Sequence, residues 1–170
     1  MDHSWLFLLL QTWLANCTLT PMNPKRLILA IIVVFVGVWV SDFLIHGVWL
    51  AKTYGQTAQL WRPEKEMNSY FGWLMLGQLL ASVTFVMIWA KGFAATACLG
   101  CACVYGMMMG LFNQSNTLIT YAVQPIPAEI AVKWFITGVA QGVVMGILVF
   151  AVYKPKAASG LPDISPTPSK

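Results

Sequence analysis

Apolar residues fill four long stretches of this chain, and polar residues gather in the gaps between them. The stretches are 27–51, 70–90, 93–123 and 128–153. Each is near or above the ~20 residues that a helix needs to cross a bilayer. Lipid offers the backbone no hydrogen-bond partners, so helices are the form such runs take. The pattern predicts an all-α integral membrane four-helix bundle, antiparallel and up-down, over residues 25–153. The third stretch is long enough for its last turns to leave the hydrocarbon.

The gaps set the topology. "KTYGQTAQLWRPEKEMNS", residues 52–69, is the one sizeable polar loop. In it Trp61 suits a membrane–water interface, and Pro63 fits the first turn of a short helix. The link between the second and third stretches is Lys91–Gly92, short enough to force an antiparallel hairpin. Pro125 and Pro127 precede the fourth. The tail, 154–170, is rich in proline, serine and alanine and is expected to be disordered.

Residues 1–24 form a separate N-terminal segment. Its apolar run, Trp5–Leu19, is too short to span, and Asp2 and His3 stand where a signal peptide has basic residues. An over-extended start is the preferred reading, ahead of an interfacial segment and a cleaved signal. A chain starting at Met22 is therefore expected to insert normally, and loss of insertion on truncation would contradict this.

Composition narrows the class. The chain is 58% hydrophobic and 9% charged, with mean hydropathy +0.70. Soluble domains carry about 25% charged residues, so the solvent for this surface is lipid. The net charge of +4 is scattered, which excludes the basic face of a nucleic-acid binder. The lipid bilayer is thus the first partner, with a membrane-protein partner or a second copy next. Lys25, Arg26, Lys91, Lys154, Lys156 and Lys170 share one side; Lys52, Arg62, Lys65 and Lys133 share the other. The excess places both termini in the cytoplasm, across a cell (inner) membrane.

Against this apolar ground, "VSDFLIHGVW" stands out. It puts Asp42 and His46 four residues apart, on one face of a helix. At 1.5 Å per residue from Leu27, Asp42 lies ~22 Å and His46 ~28 Å into a core of ~30 Å. Asn113, Gln114 and Asn116 reach the same level from the third stretch. Glu129 and Lys133 begin the fourth there. Glu129, Lys133, Thr137 and Gln141 recur every four residues as one stripe. The expected result is an outward-opening polar cup, capped by the first loop, with Gln78 facing Gln141. The plainer account of these groups is a set of helix ends turning polar near water. For Glu129 and Lys133 it is an ion pair.

Two further motifs concern packing and metal. Gly138, Gly142 and Gly146 form a small-residue stripe on the fourth stretch, and Gly106 and Gly110 form one on the third; such glycines let backbones approach closely. "CLGCAC" invites a metal site at Cys98 and Cys101. In a continuous helix Cys103 faces away from both, so small buried hydrophobes are the preferred reading and no oxidised loop is expected there. No metal and no cofactor is expected. His46 is the one intramembrane histidine, too few for a bis-histidine haem. No motif of phosphate binding, acyl transfer or zinc proteolysis occurs.

At "FLIHGVWLAKTYGQTAQLWRPEKEM" the chain resembles small bacterial membrane proteins with four helices, over roughly residues 25–150. The resemblance implies an inner-membrane protein and carries no activity. Three functional readings follow. The first is a non-catalytic accessory or assembly protein that docks through its glycine stripes. The second is a small transporter or binder of a cation, proton or small polar solute, using the cup. An intramembrane enzyme is least favoured, because no catalytic motif accompanies the pair.

Overall fold

The computed structural model describes residues 22–153. The expectations for residues 1–21 and for the tail lie outside the described residues. All regular structure within them is helical. Helix α1 spans Pro24–Asp42. Asn23 caps it by accepting from the Arg26 N–H at 3.2 Å. Pro24 fits the first turn, where its missing N–H leaves nothing unpaired. The chain then continues into a π-helical segment, Phe43–Trp49. The bond from Leu50 N–H to Ile45 O, 2.8 Å, has the i→i+5 spacing of that form. A short helix α2, Ala51–Gln56, and a 3₁₀ turn, Ala58–Leu60, lead to Pro63. Helix α3 spans Glu64–Gly92, α4 spans Leu99–Val123, and α5 spans Ala128–Val152.

These bounds correct the sequence expectations at several ends. The second helix begins six residues before position 70, because "EKEMNS" is helix-forming although polar. Polarity there does not mark a helix end. Lys91–Gly92 lies in the last turn of α3, and the link to α4 is Phe93–Cys98, with a 3₁₀ turn at Ala94–Thr96. The first helix loses α geometry at Phe43, well before position 51.

Among the described residues, three helical stretches are long and apolar enough to cross a membrane: Pro24–Trp49, Lys65–Gly92 and Ala128–Val152. Helix α4, expected as a fourth, is not among them. Its run "NQSN", three glycines and Tyr105 lower its hydropathy, though its 25 residues suffice in length. Large apolar side chains cover the exterior; Phe112 is 77% exposed and Trp73 71%. An apolar exterior of this extent fits lipid better than water.

Packing is tightest between α4 and α5. A Cβ at Gly142 would lie 2.5 Å from Gly106 O and 2.9 Å from Gly110 Cα; one at Gly110 would lie 2.9 Å from Val139 Cα. Added Cβ atoms at Gly106 and Gly146 would strike backbone carbonyls of Gly142 and Ala102. The two stripes therefore meet each other inside the chain. Gly138 serves differently, leaving the room that the Gln114 side chain fills. Helix α1 lies against α5 at Gly37, close to Leu148 and Met145.

The molecule has two unlike ends. At one, Ala30, Val34, Val86, Trp89, Tyr105, Val149 and Tyr153 are buried together. The Tyr105 hydroxyl donates to Phe85 O, and its ring lies tilted against those of Phe85 and Phe93, with centroids 4.8 and 4.9 Å away. These aromatic contacts join α3 to α4 at this end. Away from it the two helices separate, and nothing approaches within 4 Å of a Cβ placed at Gly77 or Gly72. The other end is polar and hollow.

Candidate functional site: a carboxylate held by three helices

Asp42 is the last residue of α1. Its Oδ2 accepts from Gln78 Nε2 of α3 at 2.5 Å, and its Oδ1 accepts from Gln141 Nε2 of α5 at 2.7 Å. The same Gln141 amide donates to Ser41 Oγ at 2.7 Å. Ser41 in turn donates to Gly37 O, one turn back. Three helices thus converge on one carboxylate. Gln78 and Gln141 were expected to pair with each other. Both turn to Asp42 instead, since a carboxylate is the stronger acceptor.

His46, within the π-helical segment, finds its hydrogen-bond partner elsewhere than at Asp42. In an α-helix residues four apart share a face. His46 lies in the π-helical segment and lines the same cavity as Asp42. No hydrogen bond joins the two among the described residues. His46 Nδ1 lies 2.5 Å from the Tyr54 hydroxyl, which also accepts from Trp134 Nε1–H at 2.6 Å. The phenol oxygen keeps both a hydroxyl hydrogen and a lone pair, so it can donate to Nδ1 or accept from Nδ1–H, according to the His46 tautomer.

Tyr54 and its neighbours form an aromatic layer. The His46 and Tyr54 rings are parallel to within 13° with centroids 6.0 Å apart; Trp61 meets Tyr54 at 5.3 Å and Trp134 at 5.8 Å. Trp61 is fixed by donating to Thr57 Oγ1 at 2.9 Å. Burial pushes the Tyr54 pKa above its usual 10.0, the Trp134 hydrogen bond opposes this, and the Asp42 charge adds to it. Tyr54 therefore remains a neutral phenol at physiological pH. Tyr54→Phe is expected to leave Trp134 Nε1 and His46 Nδ1 without their shared partner, at a cost of about 1–3 kcal/mol. Thermal unfolding in detergent measures it; an unchanged midpoint would mean that the layer is held by ring packing alone.

Beneath the layer lies a cavity of about 560 Å³. Asp42 is its one carboxylate, with His46, Gln78, Asn113, Gln114 and Gln141 beside it. Val34, Val38, Phe85, Met109 and Met145 supply apolar wall. A second cavity of about 230 Å³ adjoins it towards Trp134, Thr117 and Thr137. His46, Gln114, Gly138 and Gln141 line both, so they form the partition. One polar atom in this region stands out. Gln78 Oε1 is buried without a hydrogen-bond partner. Such a group costs about 1–3 kcal/mol unless something donates to it, so the atom marks a place for a donor.

Several expected cup residues lie elsewhere. Glu129 and Lys133 pair with each other at 2.5 Å and line neither cavity. At i,i+4 in a first turn they satisfy one another, and Lys133 Nζ also lies 5.4 Å from the Trp49 ring centre. Asn116 is exposed and outside both cavities. Gln114 is tied locally, accepting from Thr117 Oγ1 at 2.5 Å.

Cys98 and Cys101 form a disulfide, contrary to the expectation of inert thiols or a metal pair. That expectation assumed a helix running from position 93. The helix starts at Leu99, Cys98 is its extended N-cap residue, and the Cα atoms lie 5.0 Å apart, within bridging range. Bonded to each other, the sulfurs are not available as the metal ligands of the weaker reading.

Tyr54 and Trp134 were not singled out in the sequence. Trp134 was legible: Trp134, Gly138 and Gln141 fall at i, i+4 and i+7, one helical face. Tyr54 carried no signal, because its position depends on the π-helical turn before it.

No family model, no curated protein and no solved structure matches the chain.

Proposed function

We propose that the chain is a multi-pass protein of a bacterial inner membrane that binds an organic cation beside Asp42. In this reading four helices cross in alternating directions and both termini are cytoplasmic. The observation that carries the reading is one carboxylate at the edge of a largely apolar cavity of about 560 Å³. Small-molecule sites commonly measure ~300–1,000 Å³ and combine apolar walls with few polar groups.

A protonated amine with an apolar body complements these groups. Its charge meets Asp42, an N–H meets Gln78 Oε1, and its body meets Val34, Val38, Phe85 and Met109. An ionised group inside a bilayer is costly unless it is paired, so the cation also relieves Asp42. The separation of α3 from α4 offers an entrance facing the lipid. An amphipathic amine concentrates in the bilayer and would enter there, between Leu80 and Phe112.

The three long apolar helical stretches support membrane insertion. The Lys and Arg count supports the orientation, and the resemblance to small bacterial four-helix membrane proteins supports the setting. The accessory reading relied on free glycine stripes. Those of α4 and α5 face each other, so the binder reading has the stronger support.

A diazirine-bearing alkylamine tests the site. After photolysis in detergent, adducts are expected on peptides containing Leu80 and Phe112, and excess hexylammonium should suppress them. Adducts spread evenly over the apolar exterior, unaffected by the competitor, would contradict the reading.

A further inference from the structure

We propose that Cys98 and Cys101 form an exchangeable dithiol–disulfide couple, a redox site at the opposite end of the molecule from Asp42. The spacing is C-x-x-C, "CLGC". Cys98 is exposed and Cys101 half-buried. The Cys98 sulfur accepts from the Cys101 backbone N–H at 3.0 Å, and it caps the N-terminus of a 25-residue helix. Both features stabilise negative charge on that sulfur. Its neighbours leave it open. Leu99 is 55% exposed, and even a Cβ added at Gly100 would stand 3.9 Å away.

The exchange balances with a thiol or disulfide reagent of low molecular weight or with a protein dithiol. On reduction, an external thiolate attacks Cys98 Sγ. The Cys98–Cys101 bond breaks, Cys101 leaves as a thiolate, and Cys98 carries a mixed disulfide. A second external thiolate attacks the external sulfur of that mixed disulfide and releases Cys98 as a thiolate. The reagent departs as its own disulfide, having supplied two electrons; protons from water neutralise thiolates according to pH. In the reverse direction Cys98 thiolate attacks a reagent disulfide, and Cys101 thiolate then displaces the bound half and closes the bridge. With the termini cytoplasmic, the pair faces a reducing compartment. Disulfides that form there are usually transient, catalytic or redox-sensing.

The test uses the full chain in detergent with Cys17→Ser and Cys103→Ser. The protein is equilibrated in buffers of varied reduced-to-oxidised glutathione ratio, quenched in acid, and labelled with maleimide-polyethylene glycol. Both thiols should label in reducing buffer, neither in oxidising buffer, and the change should reverse. In the same background, Cys101→Ser should take up a glutathionyl group at Cys98 about tenfold faster than Cys98→Ser does at Cys101. If the substituted background fails to fold, differential alkylation of the parent chain, read by mass spectrometry of the peptide spanning 98–101, gives the same redox curve. The proposal is overturned if the pair labels in every buffer, if reduction requires denaturation, or if Cys101 is the faster sulfur.

Discussion

Asp42→Asn is expected to weaken hexylammonium binding about 100-fold, a loss of ~2.7 kcal/mol. Hexylammonium is a minimal probe of the proposed ligand class, a protonated amine on an apolar chain. The variant keeps nearly the same shape but removes the cavity's one carboxylate. Charge-assisted hydrogen bonds contribute about 1.5–3 kcal/mol each, and the low-dielectric surroundings strengthen the pairing further. The substitution also affects the scaffold. Asp42 accepts from both Gln78 and Gln141, whereas asparagine offers one oxygen and one amide, so one glutamine faces a donor. Thermal unfolding must therefore accompany the binding assay. Gln78→Leu separates the effects: it removes the unpartnered Oε1 and leaves Gln141 on Asp42. It should weaken binding about tenfold. Parent-like binding by Asp42→Asn would refute Asp42 as the counter-charge.

Gly142→Leu should destabilise the fold by at least ~3 kcal/mol, at the upper end of overpacking costs. The first added atom already sits 2.5 Å from Gly106 O and 2.9 Å from Gly110 Cα. Both belong to backbone, so no side-chain rotation relieves the clash. Helix α4 must move off α5, and Asn113 and Gln114 move with it. Thermal unfolding in detergent should show a lower midpoint. Gly77→Leu is the control, because nothing lies within 4 Å of a Cβ there. Equal midpoints for the parent and Gly142→Leu would show that the close approach of α4 and α5 is not needed for stability.

The helices were legible because apolar length is a strong signal of a helix long enough to span a bilayer. Their ends were less legible. "EKEMNS" is polar yet helical, so hydropathy found the apolar run and missed the start of α3. Asp42 was legible as costly in lipid, and that cost is met by two amides from other helices. His46, four residues on and expected on the same face, is not its hydrogen-bond partner. His46 pairs with Tyr54 of the next short helix, a contact that spacing within one helix does not reveal. Glu129 and Lys133 looked like cup residues by level alone, but their own spacing satisfied them. The disulfide was hidden for a related reason. Cys98 and Cys101 on one helix would be ordinary neighbours; with Cys98 as an extended cap they bridge.

The most direct test of the account is a calorimetric titration of the purified parent chain with three probes of one shape and different charge: hexylammonium, hexanol and hexanoate. An apolar cavity with a single carboxylate predicts saturable binding of hexylammonium, with neither hexanol nor hexanoate binding measurably over the same range. Equal binding of all three, or none of hexylammonium, would contradict it.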